Sequence, residues 1–307
     1  MMRIALDVHA HLAPVVPERL AALPGTQWQT QPPRLTLDGH AISIADLYFP
    51  ERLLRWMDDH EVERALVSVP PPLYRQHLEE ASAEAWCAYL NDGLLAIAAA
   101  HGDRLQALLH LPLEHPALAL RLHQRYAESG AAGVALAAGG APRIVYSDSA
   151  LTSLWQALDD RSSFVFLHPG SCADGRLATH YLENLLGNPL ETGVAAAHLV
   201  MAGVPQRFPR LHICLAHAGG AFTGLVGRLE QGFETRRPGI DSDVERPLLA
   251  ARRLYADCIA HHPSALRMAQ DVFGADHVLF GSDWPFPMGL LGGAPIGWPR
   301  TGEGEPA

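Results

Sequence analysis

Cysteine is scarce in this chain and scattered: Cys87, Cys172, Cys214 and Cys258 are widely spaced, with no Cys-x-x-Cys pair among them. That excludes a disulfide-built scaffold and a thiolate metal site, and we read all four as reduced, mostly buried thiols. Positive charge is in deficit as well. Asp and Glu number 33 against 23 Lys and Arg, a formal −10, which argues against a nucleic-acid partner because phosphate neutralisation needs basic side chains gathered on one face. No apolar run approaches the roughly 20 residues that span a bilayer, so no membrane partner is expected. Met1-Met2-Arg3 leads directly into an extended segment, leaving no removable secretory stretch, and cytoplasmic residence is the expectation. No linker divides the 307 residues, and one α/β barrel typically takes roughly 250, so residues 1–307 are expected to form a single domain.

Histidine is plentiful, with 17 in all, and most are surface or packing residues. Two stand apart. In Ala5-Leu6-Asp7-Val8-His9-Ala10-His11-Leu12 the imidazoles of His9 and His11 lie two residues apart at the end of an extended segment. Alternate side chains of a strand share a face, so two neutral nitrogens from one short segment can hold a divalent metal. Three later apolar runs have the character of strands covered on both faces. They end in polar groups: Phe164-Val165-Phe166-Leu167-His168, Leu211-His212-Ile213-Cys214-Leu215-Ala216-His217 and Val278-Leu279-Phe280-Gly281-Ser282-Asp283. Such groups are costly to bury unless something satisfies them. Together with the opening pair they predict a metal site.

The order of elements predicts a barrel. After the first strand, residues 13–48 form an insertion in which Arg34–Leu37 and Ala41–Ile44 flank Asp38-Gly39, the signal of a hairpin. Helices are expected at Pro50–Asp59, Glu79–His101, Pro116–Ser129 and Asp148–Asp160. They alternate with strands at Arg64–Val69, Leu105–Leu109, Ala132–Leu136 and the run ending at His168. A long helical region to Phe208, a sixth strand ending near His217, a helix to about Arg236, a seventh strand at Leu254–Cys258 and an eighth before Asp283 complete the pattern. This is the α/β class, a (β/α)8 TIM barrel with its active site at the carboxyl ends of the strands. The tail, residues 288–307, is rich in Gly and Pro and reads as irregular, giving a shortened C-terminal end without the outer eighth helix.

From Asp7 to about Pro287 the chain resembles the metal-dependent amidohydrolase superfamily, amidohydrolase family 2. The branch it resembles is that of aminocarboxymuconate-semialdehyde decarboxylase and related nonoxidative decarboxylases. The resemblance lies in Asp7-Val8-His9-Ala10-His11, Trp56-Met57-Asp58, His168-Pro169, Asp174-Gly175-Arg176, Gly203-Val204-Pro205-Gln206-Arg207-Phe208-Pro209, Ala216-His217-Ala218-Gly219-Gly220 and Gly281-Ser282-Asp283-Trp284-Pro285-Phe286-Pro287. It implies that His9, His11, His168 and Asp283 are the metal ligands and that His217, unligated, is the acid/base group. Catalysis then falls to His217 and Asp283, and Trp284 belongs to the substrate pocket. Binuclear members carry a bridging lysine on the fourth strand, but Gly133-Val134-Ala135-Leu136-Ala137 has none, so one divalent ion is expected, Zn2+ first and Mn2+ second. Ser43 stands where the namesake enzyme has a substrate arginine, and a hydroxyl cannot make that bidentate contact. Arg236 or Arg237 corresponds to a second substrate arginine given across a dimer interface, so a homodimer is expected.

The activity implied is nonoxidative decarboxylation of an unsaturated or aromatic carboxylic acid, a small-molecule carboxylate. Either water adds beside the carboxylate and CO2 leaves as the adduct collapses, or the substrate carbon is protonated directly. Hydrolysis of a lactone or other ester-like bond, or hydration of a double bond, is the alternative on the same groups. A metal-binding or assembly protein is the non-enzymatic one, suggested by the short tail and Ser43. Fold alone does not choose among them.

Overall fold

The computed structural model describes residues 3–140, 144–293 and 295. In chain order the elements are β1 Ile4–His11, α1 Pro17–Leu20, β2 Thr26–Gln29, β3 Arg34–Leu37, β4 His40–Ile42, α2 Pro50–Asp59, β5 Val62–Ser68, α3 Glu80–Ala100, β6 Leu105–His110, α4 Pro116–Arg125, β7 Gly133–Ala138, α5 Thr152–Asp160 and β8 Phe164–Pro169. They continue with α6 Asn188–Met201, α7 Val204–Arg207, β9 His212–Leu215, α8 Phe222–Glu234, α9 Pro247–Ala251, β10 Tyr255–Asp257, α10 Pro263–Phe273 and β11 Val278–Leu279. Pro50, Pro116, Pro247 and Pro263 each open a helix, where the missing N–H costs nothing and the fixed φ already suits the turn.

Eight parallel strands run in the order β1-β5-β6-β7-β8-β9-β10-β11. The ring is joined between its ends. Val8 N donates to Phe280 O at 2.9 Å, Asp283 N to His9 O at 2.7 Å and His11 N to Trp284 O at 2.9 Å. The expected TIM barrel is therefore the fold. Inside it Val8, Leu66, Leu108, Ala135, Phe166, Cys214 and Leu279 pack into one apolar plug, while the outer faces of the strands meet the helices in a larger core that includes Leu53, Trp86, Leu122 and Trp155. Burial of both strand faces explains why these strands read as continuous apolar runs rather than alternating ones.

The insertion holds the expected Arg34–Leu37 hairpin, but β2 pairs antiparallel with β3 and makes it a three-stranded sheet. Polar Thr26-Gln27-Trp28-Gln29 carries no strong strand pattern; pairing with β3 makes it extended. Helix α4 stops at Arg125, short of Ser129, because the chain turns there, Ser129 N donating to Tyr126 O before Gly130 at φ +80°. The long helical region to Phe208 is two helices, divided at Gly203 in the left-handed region with φ 65°. Among the described residues no helix follows β11. The rest of the irregular tail, residues 294 and 296–307, lies outside the described residues.

Without an eighth helix, the wall beside the last strand needs cover from another subunit, the hairpin insertion or the tail itself. Gly289–Gly293 turns back over it: Leu290 N donates to Ser282 O at 2.7 Å, Trp56 Nε1 donates to Leu291 O at 3.0 Å, and both leucines pack on the outer core. Exposed apolar side chains gather along α6 and the turn before it, with others scattered on α8, α9 and α10 and at Met288. No helix among the described residues is long and apolar enough to cross a membrane.

Candidate metal centre and active site

Four side chains meet at the carboxyl end of the barrel. His9 and His11 come from β1, His168 from β8 and Asp283 from just after β11, all buried, with one ligand atom each inside a 4.8 Å span. The strand β1 does not pair evenly. Its register against β5 shifts between Asp7 and Ala10, a bulge that re-aims the chain at the ligands. Gly281 is required by the same crowding, since a Cβ there would stand 2.8 Å from Cβ of Asp257 and 2.9 Å from Cβ of His9.

Each ring is turned by its outer nitrogen. His9 Nδ1 is 2.7 Å from Asp257 Oδ2, His11 Nδ1 is 3.1 Å from Ser68 Oγ, and His168 Nδ1 donates to Pro169 O at 3.0 Å. All three Nε2 atoms therefore point inward. Nε2 of His9 and Nε2 of His11 lie 3.0 Å apart, and Asp283 Oδ1 lies 3.3 Å from each. His168 Nε2 and Asp283 Oδ1 are buried without a hydrogen-bond partner. Converging lone pairs and an unpartnered carboxylate oxygen fit a cation and little else. His9, His11, His168 and Asp283 form a divalent metal site.

The electrostatics agree. Burial opposes charge on His9, yet the Asp283 and Asp257 carboxylates outweigh it and raise the ring to about 10, so this point in the barrel favours a positive charge. Burial lowers His11, and burial with three neighbouring imidazoles holds His168 well below its ordinary range. Burial would raise Asp283, but His9, His11 and His217 overcome it and hold the carboxyl well below the carboxylate range. Asp257 likewise stays ionised against its burial, through His9, His217 and the Ala218 amide.

His217 follows β9. Its Nε2 is 3.9 Å from Asp283 Oδ2, its Nδ1 has no partner, and its side chain keeps 19% exposure where His9 and His11 keep none. It stands beside the four ligand groups and outside their cluster. His217 and Ala218 lie in the left-handed region at φ 56° and 55°, as does Asp283 at φ 56°. Non-glycine residues rarely stay there unless their surroundings hold them. Asp257 holds the first pair, accepting His217 N and Ala218 N at 2.9 Å each.

The remaining expected site residues are dispersed. Trp284 is buried in the outer core and meets the centre through its carbonyl, which accepts His11 N at 2.9 Å. Phe286, two residues on, sets its ring edge-on to His11 at 5.4 Å. Ser43 is exposed beyond β4. Arg236 and Arg237 are exposed past the C-terminus of α8, whose 13 residues span about 20 Å from the His217 end. They do not reach the site of their own chain. Asp257, Ser68, Tyr74 and His110 lie at or near the centre and were not among the expected site residues.

Barrel, strand-end ligands and flanking imidazole together define a metal-dependent barrel enzyme of the hydrolase and lyase kind. The chain belongs to the amidohydrolase family, whose model matches residues 6–291. It is 26% identical over 264 residues to 2-amino-3-carboxymuconate-6-semialdehyde decarboxylase of Dictyostelium discoideum, covering 84% of this chain and 73% of that protein. In fold it is similar to 5-carboxyvanillate decarboxylase from Sphingomonas paucimobilis, with a TM-score of 0.78 at 20% identity over 93% of this chain and 89% of that one. It is similar also to a dihydroxybenzoic acid decarboxylase from Polaromonas sp., with bound manganese and the inhibitor 2-nitroresorcinol. There the TM-score is 0.74 at 21% identity, over 92% and 87% of the two chains.

Proposed function

We propose that this protein is a nonoxidative decarboxylase of an aromatic or unsaturated carboxylic acid, dependent on one divalent ion held by His9, His11, His168 and Asp283. The observation that carries the reading is His217, a partly exposed imidazole 3.9 Å from the ligand Asp283 yet outside the ligand cluster, in a chain whose relatives include decarboxylases. Zn2+ suits three imidazoles and a carboxylate, and Mn2+, found in the Polaromonas protein, suits the same set. The chain has no lysine at all, which supports a single ion, since no carbamate can form to bridge two.

The bound ion supplies a Lewis acid that orients the substrate's oxygens and draws off charge. The chain's residues do the rest. Decarboxylation breaks the bond from the substrate carbon to its carboxylate, releases CO2 and leaves an electron pair that a proton must meet. His217 holds that proton at the edge of the cluster and regains it from water, as its residual exposure permits. Asp283 sits between ligands and His217, and its ionised carboxylate steadies the protonated ring. Cytoplasmic residence is consistent with three buried, unpaired thiols, Cys87, Cys214 and Cys258.

A homodimer completes the proposal. Tyr181, Leu185, Leu186, Leu190 and Val194 expose an apolar stripe along α6 and the turn before it, and such a surface usually marks an interface. Arg236 and Arg237 are exposed at the far end of α8, which packs on α6, and Arg237 Nη2 donates to Thr235 O at 3.1 Å. A partner could receive one of them.

The test is metal-loaded protein against a panel of aromatic and unsaturated acids, with CO2 release and ester or lactone hydrolysis followed separately. CO2 release should depend on metal. His217→Ala should keep the ion and lose about 10²–10⁴ in turnover, the usual worth of a positioned acid/base group. Ala in place of His9, His11, His168 or Asp283 should lose the ion. Hydrolysis without CO2 release, or metal loss in the His217 variant, would overturn the assignment.

A further inference from the structure

Beside the metal centre two stacked rings carry buried polar atoms that make no well-formed hydrogen bond among the described residues. Tyr74, after β5, and His110, the last residue of β6, lie face to face, centroids 4.7 Å apart and planes 8° from parallel. Both are buried, and Tyr74 Oη, His110 Nδ1 and His110 Nε2 all lack a well-formed hydrogen bond. Buried polar atoms are seldom left so. The other atoms in this state include His168 Nε2, His217 Nδ1 and Asp283 Oδ1, which belong to the metal centre and its acid/base group.

Their position follows from the strands. Leu66, Leu108 and Phe166 face the barrel interior, so residues two further on face the same way. Those residues are Ser68, His110 and His168. Ser68 touches the ligand His11, His168 is itself a ligand, and His110 stands on β6, between the β5 of Ser68 and β7, whose inward position carries only Ala137. The backbone that carries the ring is held by Asn91, which donates to His110 O at 3.0 Å and accepts His110 N at 2.8 Å. Tyr74 abuts Gly170, two residues past His168: a Cβ there would stand 3.4 Å from its ring. Burial holds the hydroxyl protonated.

We propose that Tyr74 and His110 are substrate-positioning residues that hydrogen-bond an uncharged oxygen of the substrate, a hydroxyl or carbonyl beside the carboxylate, and so set which acids are accepted. This rests on the decarboxylase reading of the adjoining centre. Among the described residues no free cation of the same subunit stands beside the pair, which favours an uncharged partner. Arg75, next in sequence, is already engaged by Asp38 Oδ1 at 2.6 Å, Asp38 Oδ2 at 2.8 Å and Pro24 O at 2.9 Å, and there is no lysine. Burial pushes His110 down to about 4, against a smaller pull from the Ala135 carbonyl on the ring N–H, so the ring is neutral and its other nitrogen offers a lone pair. A second carboxylate placed here would be buried without a counter-charge. A hydroxyl, both donor and acceptor, matches the two rings.

The experiment measures binding of 2-hydroxybenzoate and benzoate to the metal-loaded protein by calorimetry, in the parent chain, Tyr74→Phe and His110→Phe. Both substitutions keep an aromatic stack and remove only polar atoms. The parent should bind the hydroxy acid at least tenfold more tightly. Each variant should lose most of that preference while benzoate binding and metal content stay as they were. No preference in the parent, or a preference that persists in both variants, would overturn the proposal. CO2 release is read in parallel. Preference lost in the variants with no acid ever decarboxylated removes the decarboxylase reading alone, whereas decarboxylation with an unchanged preference removes the positioning role alone.

Discussion

Asp257 holds Nδ1 of His9 at 2.7 Å, with both side chains wholly excluded from solvent. The same oxygen accepts the His217 amide at 2.9 Å, and its partner oxygen accepts the amides of Ala218 at 2.9 Å and Ile259 at 3.0 Å. One carboxylate thus aims a metal ligand and fixes the left-handed turn that presents the imidazole of His217, the proposed acid/base group. Replacing it with Asn keeps the shape and loses the charge. We expect Asp257→Asn to weaken metal binding by about 10–100-fold, the usual effect of removing a ligand's outer partner. Competition against a chelator measures this, and an unchanged affinity would show that His9 needs no orienting charge.

How much of this was legible from residues alone follows a single rule, that a polar group ending a buried strand needs a reason. Applied to β1, β8, β9 and β11 the rule identifies His9, His11, His168, His217 and Asp283, and four of these close into a ligand cluster. Applied evenly it would also have reached Ser68, His110 and Asp257, which end β5, β6 and β10. They were passed over because a lone Ser, His or Asp after an apolar run has many ordinary partners, and only the closed ring shows that these ends converge. Tyr74 had no signal of this kind: it follows Pro70-Pro71-Pro72 in a loop, and loop direction is set by packing. The third strand of the insertion was hidden for a related reason, its pairing being a tertiary choice.

The insertion is pinned to the barrel by Arg75, 8% exposed, over the Trp86 ring at 5.0 Å and paired to Asp38 in the β3–β4 turn. The guanidinium, through its hydrogen bonds, keeps Asp38 below its ordinary range. A carboxyl lowered in the folded state contributes stability above its unfolded pKa, about 3.9, and loses it as pH falls through the lower folded value. Arg75→Lys loses the fork, and the docked insertion should weaken by roughly 1–2 kcal/mol after allowance for the partial exposure of Asp38. Hydrogen exchange at Leu35 and Ile42 should quicken in the variant at neutral pH, and in the parent only below about pH 4. Equal exchange in both at neutral pH would show that the sheet is held by other contacts.

Glu114, after β6, gives the opposite sign. Burial raises its carboxyl to about 7, with only a weak counter-pull from its own backbone and His115. An acid raised on folding favours the folded state fully below its unfolded pKa of about 4.3, and that contribution is lost as pH rises through 7. Glu114→Gln removes the charge that must be buried. It should therefore stabilise the protein at pH 8 by roughly 1 kcal/mol, discounted for partial exposure, and change little at pH 4.5. Thermal melts of the two proteins at both pH values test this, and equal shifts at the two would exclude titration of Glu114 as the cause.

The proposed homodimer would use the apolar stripe along α6 and the turn before it as its interface. Leu190 and Val194 lie four residues apart on one face of α6 and are 37% and 52% exposed, with Leu186 at 45% and Tyr181 at 67% on the turn before them. A two-fold axis through such a stripe would set it against itself and carry the flanking α8 of each copy toward the other, both arginines included. Leu186→Glu with Val194→Glu would bury four carboxylates without partners in that interface, so sedimentation at micromolar concentration should change from dimer to monomer while the fold remains. If an arginine crosses, activity should fall with dimerisation. The crossing has its own test in mixed chains. His217→Ala and Arg236→Ala/Arg237→Ala should each be weak alone, and equal random mixing should restore about a quarter of the parent's sites, because half of the dimers are mixed and each of these has one complete site. No restoration despite confirmed mixing would leave both arginines as solvated ends of α8. A parent chain that sediments as a monomer would leave the stripe without this partner.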